Sequence, residues 1–206
     1  MNLSTKFIFP LFESICLIDG KIKNAQFHAD RFQRSYRKFF WQSPEFELLS
    51  DIEIPKEFCH GKVKLRIGYN RFEKKYGFER YQNREIKTLK LIVHNTIDYD
   101  LKFENREQLN QLFRLKKNCD DILIIKNGNI TDSSYANIIF WDGSNWYTPS
   151  TFLLEGTKRS YLLDNGSIKE VNIQKSDLKT FQGFQLINAL LDFDPNFYIP
   201  IGNIIP

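Results

Sequence analysis

Cysteine is scarce in this chain of 206 residues: Cys16, Cys59 and Cys119 form an odd set with no C-x-x-C pair. That argues against a secreted disulfide framework and against a cysteine-based zinc site, and a reducing, cytoplasmic setting is expected. Glycine is also sparse, at 10 residues, and none of the patterns G-x-x-x-x-G-K-[ST], G-x-G-x-x-G, H-E-x-x-H or G-x-S-x-G occurs. A glycine-rich phosphate loop is therefore not expected. His28, His60 and His94 lie far apart without ligand-like spacing, so no metal is expected either. No apolar run approaches the ~20 residues of a membrane span. The opening stretch is interrupted by Pro10 and Glu13 before a signal core could form. Blocks of one charge are missing as well: 29 basic and 25 acidic residues are scattered to a net +4, so neither nucleic acid nor a membrane is an expected partner.

What the chain has is apolar and aromatic mass, 42% hydrophobic with 19 Phe, 9 Tyr and 3 Trp, enough for a sizeable core. Alternation over 11–18, the dipeptide Asp19-Gly20 and a returning run at 21–25 predict a hairpin. From Phe27 the spacing of Phe27, Phe32, Tyr36, Phe39 and Phe40 puts aromatics on one helical stripe, with Asp30 early enough to complement the helix dipole. Strands are expected at 63–70, 76–82 and 89–94, and Pro55 keeps its own segment out of a sheet centre. A second helix is expected from about Glu104, carrying Leu109, Leu112, Phe113 and Leu115. Hairpins turning at Asn127-Gly128 and Asp142-Gly143 follow, then a short helix with Tyr161, Leu162 and Leu163, then strands at 170–173 and 184–190. The stretch 96–101 is the natural boundary between two mixed α and β halves, a smaller domain over 1–98 and a second over 99–206.

Four segments carry chemistry. The first is Leu11-Phe12-Glu13-Ser14-Ile15, the D-G turn, and His28-Ala29-Asp30-Arg31-Phe32 with Ser35. The second is Lys102-Phe103-Glu104-Asn105-Arg106. The third is Gly128-Asn129-Ile130-Thr131-Asp132-Ser133-Ser134-Tyr135-Ala136-Asn137-Ile138-Ile139-Phe140, and the fourth joins Tyr147-Thr148-Pro149 to Leu153-Leu154-Glu155-Gly156-Thr157-Lys158-Arg159. Together they resemble the class IV, or fold-type IV, pyridoxal phosphate (PLP) enzymes, whose patterns are F-E-T with H-x-x-R-L-x-x-S, K-x-x-N-R, G-x-[IV]-x-E-x-x-x-[AS]-N-[IL]-F, and T-P with L-L-x-G-x-x-R. The resemblance implies a two-domain fold of mixed α and β, like that of D-amino-acid aminotransferase, with a shortened N-terminal domain. It further implies PLP in a cleft between the domains, and a homodimer.

Residue roles follow from the resemblance. Lys102 is the implied catalytic lysine and carrier of the cofactor, which requires an amine able to lose its proton. Arg31 is the implied phosphate-binding arginine. Asp132 stands where the family has Glu to pair with the pyridine nitrogen, one methylene shorter. Thr157 and Lys158 offer helix-start amides to the phosphate, and Ile187-Asn188-Ala189-Leu190 resembles a lyase-type N-A-L stretch, making Asn188 and Ala189 a second phosphate contact. Arg66 and Arg159 are candidate contacts to a substrate carboxylate. No tyrosine follows Lys102 until Tyr135, unlike the branched-chain aminotransferases, which tilts the expectation toward a lyase similar to 4-amino-4-deoxychorismate lyase. Such an enzyme makes 4-aminobenzoate and pyruvate for folate synthesis. A class IV aminotransferase, or a non-catalytic PLP-binding module, is the alternative.

Overall fold

A computed structural model describes residues 7–206; the first six residues of the opening stretch considered above lie outside it. The chain divides into two compact units. The first ends at Asn83 and takes in Leu101–Asn105, and the second comprises Arg84–Asp100 and Arg106–Pro206. The expected single cut at 98/99 is thus replaced by a passage at 83/84 and a brief return of five residues.

In the first unit β1 (Leu11–Ile18) and β2 (Lys21–Ile22) form the expected hairpin, with Asp19 at φ 49 and Gly20 at φ 72, the paired left-handed residues of a tight hairpin turn. Helix α1 (Ala25–Phe40) covers one face of the sheet β2-β1-β3-β4, completed by β3 (Lys62–Tyr69) and the edge strand β4 (Lys74–Arg80). The period-2 pattern of β3 sends Val63, Leu65 and Ile67 into the core and Lys62, Lys64 and Arg66 to the opposite face. The buried stripe of α1 is His28, Arg31, Phe32, Ser35 and Tyr36, so the helical period holds, but His28, Arg31 and Ser35 make most of the stripe polar. Asp30 lies beyond the first turn, which contains no acid; it accepts a hydrogen bond from Gln26 at 2.8 Å instead of serving the dipole.

In the second unit β5 (Leu89–Val93) runs parallel to β6 (Asp121–Lys126), and α2 (Glu107–Phe113) lies in the connection between them. α2 begins three residues later than expected because 102–104 are extended and paired with the start of β1. From β6 the chain turns at Asn127 (φ 52) and Gly128 (φ 82) into β7 (Asn129–Ser133), then β8 (Asn137–Trp141) and β9 (Trp146–Pro149). Helix α3 (Thr157–Asp164), β10 (Lys169–Val171) and β11 (Gly183–Ile187) follow, with two-residue strands β12 (Ile199–Pro200) and β13 (Ile204–Ile205) at the end. Its core gathers Leu89, Leu123, Ile125, Ile130, Ile138, Phe140 and Phe184. No helix among the described residues is long and apolar enough to cross a membrane.

Candidate active site

On the first unit's core face, Glu13 occupies the inward slot of β1 between Leu11 and Ile15, where it is fully buried. Two α1 residues three positions apart reach it. Arg31 donates through Nε to Oε1 at 2.8 Å and through Nη2 to Oε2 at 2.5 Å, a fork-to-fork pair, and His28 Nδ1 lies 2.7 Å from Oε2. Burial alone would push the Glu13 carboxyl up, but the Arg31 guanidinium and the hydrogen bonds from His28 and Arg31 outweigh it and hold it at about 2. Burial pushes the His28 imidazole down, with Glu13 opposing and the charges of Arg31 and Lys102 adding to the shift. A neutral ring beside an ionised carboxylate carries its proton on Nδ1 and donates it. Arg31, the implied phosphate ligand, is therefore a fixed cation whose orientation Glu13 sets.

The opposite face of the same sheet carries Lys102. Phe12 N–H donates to Lys102 O at 3.1 Å and Glu104 N–H donates to Pro10 O at 2.8 Å, so 102–104 lie alongside the start of β1. The alternation of extended chain then puts Lys102, Glu104 and Phe12 on one face. The pairings Phe12↔Gly68 and Ser14↔Arg66 bring Arg66 there as well. One ring takes both cations: Lys102 Nζ lies 4.8 Å and Arg66 Cζ 4.1 Å from the Phe12 centroid. Arg66 also pairs with Glu104, both side chains about a third exposed.

In the second unit, Asp132 and Asn137 stand opposite each other across β7 and β8. Asp132 Oδ1 accepts from Asn137 Nδ2 at 2.8 Å, and Oδ2 accepts from the Leu153 and Leu154 amides at 3.0 and 2.9 Å. These donors are neutral dipoles. Burial outweighs them and the more distant Arg159, and pushes the Asp132 carboxyl up to about 6. Asn137 also donates to Leu154 O at 3.0 Å. Gly156 sits against the same asparagine: a Cβ there would fall 1.8 Å from Asn137 Oδ1. As the N-cap of α3, Gly156 has no side chain to satisfy the first-turn amides, which include those of Thr157 and Lys158. The Lys158 ammonium lies 2.8 Å from Asp192.

The remaining expected residues lie in this unit too. Asn188 Oδ1 accepts from the Leu190 and Leu191 amides at 2.8 and 2.9 Å, which ends β11 at Ile187 rather than carrying the strand to 190; half-buried Ala189 sits in the resulting turn. Arg159 is 3% exposed. Its Nη2 donates to Pro149 O at 3.0 Å and to Glu170, and its guanidinium lies 4.5 Å over the Phe152 ring. Those contacts brace the 149–152 turn, while its buried Nε has no hydrogen-bond partner among the described residues. Sequence reasoning gave no role to Glu13, Phe12, Glu104 or Asn137. A glutamate in an inward slot of an alternating strand was a readable signal for Glu13; the roles of Phe12 and Glu104 need the strand register, which the sequence does not print.

Among the described residues no three His, Cys, Asp or Glu side chains come together as a metal site requires. The parts do fit PLP. The start of α3, which has no side-chain cap, suits a phosphate, and the buried Asp132 carboxylate, with one donor on Oδ1 and no cation among its contacts in the described residues, suits a protonated ring nitrogen.

The family model for class IV amino-transferases matches residues 107–195. Over 185 residues the chain is 38% identical to an "uncharacterized protein" of Haemophilus influenzae, covering 89% of this chain and 98% of that one. A 75-residue stretch, 34% of this chain and 32% of its relative, is 37% identical to a "putative aminodeoxychorismate lyase" of Schizosaccharomyces pombe. Among solved structures, a "putative 4-amino-4-deoxychorismate lyase" from Haemophilus somnus is 34% identical, with 91% of this chain and 99% of that chain covered at a TM-score of 0.81. Identity of this order over nearly the whole chain, with the family model spanning Asp132, the start of α3 and the Asn188 turn, means that the chain belongs to the class IV aminotransferase family of PLP-dependent, fold-type IV enzymes.

Proposed function

We propose that this enzyme is a PLP-dependent lyase resembling 4-amino-4-deoxychorismate lyase, releasing pyruvate and forming 4-aminobenzoate. The observation that carries the reading is the Phe12 ring shared by Lys102 and Arg66: it sets a carboxylate-seeking cation beside the amine assigned to catalysis. PLP, when bound, supplies an electron sink for the carbon next to the substrate nitrogen. Lys102 would hold the cofactor through Nζ and would serve as general base and then general acid toward the substrate carbon. The ionised Asp132 carboxylate, held by Asn137 and the Leu153 and Leu154 amides, would hold a proton on the cofactor's ring nitrogen. The amides of Thr157 and Lys158 would hold the phosphate, Arg31 would add a positive charge fixed by Glu13, and the Asn188-Ala189 turn would supply a further phosphate contact. Arg66 orients the substrate carboxylate. Loss of the enolpyruvyl group makes the ring aromatic, which drives the reaction forward. The reading includes a cytoplasmic homodimer, for which light scattering on the eluted protein should return twice the chain mass.

The test incubates purified protein with aminodeoxychorismate and, separately, with amino acids. Pyruvate released without a keto-acid acceptor supports the lyase. Conversion of the cofactor to its amine form by an amino acid points to an aminotransferase and sinks the lyase. A visible cofactor band absent from Lys102→Ala supports the assigned lysine, whereas a colourless protein that cannot be reconstituted indicates a non-catalytic module.

A further inference from the structure

The hairpin that carries Asp132 is irregular at one point. Lys126 faces Asn129 and Ile125 faces Ile130 across β6 and β7, but Leu123 faces Ser133, so Ile124 alone stands opposite two residues, Thr131 and Asp132. This is a β-bulge, one extra residue in β7. Its effect on side-chain direction follows from the neighbours. Leu123 and Ile125 of β6, Ile130 of β7, and Ile138 and Phe140 of β8 all pack in the second unit's core. A register that ran on unbroken from Ile125 and Ile130 would set Asp132 opposite Leu123, and directly opposed residues share a face. The carboxylate would then point into that apolar core. The extra residue gives the place to Ser133 instead, whose hydroxyl is occupied locally by the amide and the carbonyl of Ala136 at 3.0 and 3.1 Å. Asp132 is turned to the other face, where it stands opposite Asn137, the neighbour of Ile138 that alternation directs away from the core.

A bulge disturbs the ladder and needs something to hold it. Ile125 O points toward β5, where it accepts from His94 N–H at 2.9 Å, so the carbonyl of Ile124 points the other way, toward the bulge. Thr131 Oγ1 donates to Ile124 O at 2.9 Å, and at 2% exposure of Thr131 water does not compete for that carbonyl. The bond thus ties the first bulged residue to the single residue opposite it. A β-branched side chain suits any strand, and valine would fill the same shape; only the hydroxyl makes this tie. We propose that Thr131 is a positioning residue for the cofactor: its hydroxyl, by holding the bulge to Ile124, keeps Asp132 aimed at the ring nitrogen. The inference rests on Asp132 as the partner of that nitrogen, and it stands whether the reaction is that of a lyase or of an aminotransferase.

The contact with the nitrogen is measured by titrating the apoenzyme with PLP and with a PLP analogue in which carbon replaces the ring nitrogen. The unaltered protein should bind PLP at least about tenfold more tightly than the analogue, the weight of a hydrogen bond to a charged group. Asp132→Asn should bring the two affinities within about threefold of each other, because the charge is gone from that bond. Thr131→Val, which keeps the shape and loses the hydroxyl, should erode the preference in the same way, and Thr131→Ser, which keeps the hydroxyl, should restore it. Thr131→Ala removes the hydroxyl without the second methyl and gives the same reading where the valine crowds the bulge. A threonine that only supports the fold would weaken both cofactors alike and leave their ratio unchanged in the variants without the hydroxyl, and that result overturns the proposal. A full preference retained in Asp132→Asn removes Asp132 as the partner of the nitrogen, and the positioning role falls with it. Pyruvate release is scored separately: a ratio that responds as described in a protein that releases no pyruvate keeps the positioning role and loses the lyase reading, and pyruvate released with a ratio indifferent to Thr131→Val does the reverse.

Discussion

Glu13 in the first unit and Asp132 in the second are both buried carboxylates, and the two are handled in opposite ways. Glu13 is surrounded by a guanidinium and an imidazole, and its carboxyl is held at about 2; Asp132 is surrounded by amides, and its carboxyl rises to about 6. A buried charge can be balanced by a counter-charge or by dipoles. The first choice gives a group whose ionisation is settled and whose partner is immobilised, which suits the positioning of Arg31. The second gives a group still short of a cation, which suits a site where the cationic partner arrives with a ligand.

The most severe way to break the comparison is Glu13→Gln. It leaves the Arg31 guanidinium buried without its charge partner, and loss of one member of such a pair costs about 3–5 kcal/mol. Urea unfolding should show that loss. A cost under about 1 kcal/mol would mean that Arg31 finds another partner and that Glu13 does not fix its position.

The pH responses should run in opposite directions. The folded-state pKa of Asp132 lies above its ordinary value, so the protonated carboxyl is the form favoured by folding: its contribution is present below about pH 4 and is lost as pH rises through about 6. Glu13 is depressed, so its contribution is present above about pH 4.5 and is lost as pH falls toward 2. Between pH 4 and pH 7, the stability of the cofactor-free enzyme relative to Asp132→Asn should fall by on the order of 3 kcal/mol. Cofactor should flatten that difference, because a cationic ring nitrogen lowers the carboxyl's pKa. A difference that is flat in both states would place Asp132 out of reach of the ring.

Gly156→Ala probes the support around Asp132. The new Cβ would overlap Asn137 Oδ1, and the asparagine must give up its bonds to Asp132 or Leu154 to escape. Overpacking of this kind costs about 1–3 kcal/mol. Cofactor affinity should fall with it, read from the visible band during dilution, while the first unit's Glu13 pair is untouched.

The two carboxylates also mark how far the sequence could be read. Asp132 stood out because its neighbours Gly128, Ala136, Asn137 and Phe140 keep a fixed spacing along one hairpin, and local spacing survives in a sequence. Glu13 was quoted as part of a pattern but given no role, since its partners lie 15 and 18 residues away on another element. The α1 stripe shows the same limit: an aromatic reading found Phe32 and Tyr36, but His28, Arg31 and Ser35 occupy the same buried face because Glu13 stands opposite. The setting of Arg159 is not legible for a related reason, as exposure of an arginine depends on Glu170 and Phe152, which only folding brings to it. The return of 101–105 to the first unit likewise rests on backbone hydrogen bonds to Pro10 and from Phe12, which no periodicity announces.

A third carboxylate sharpens the contrast with the smallest effect. Glu104 also pairs with an arginine, but it and Arg66 are about a third exposed, whereas Glu13 and Arg31 are almost wholly enclosed. Water screens the first pair and solvates whichever partner is left behind, so Glu104→Gln should change stability by less than about 1 kcal/mol where Glu13→Gln costs several. The same chemical bond is thereby a lock in one place and an exchangeable occupant in the other, and only the exchangeable one can give way to a ligand. Parallel urea titrations of the two variants decide the matter: a loss in Glu104→Gln that approaches the loss in Glu13→Gln would show Arg66 to be locked as Arg31 is, and a locked arginine could not receive a substrate carboxylate.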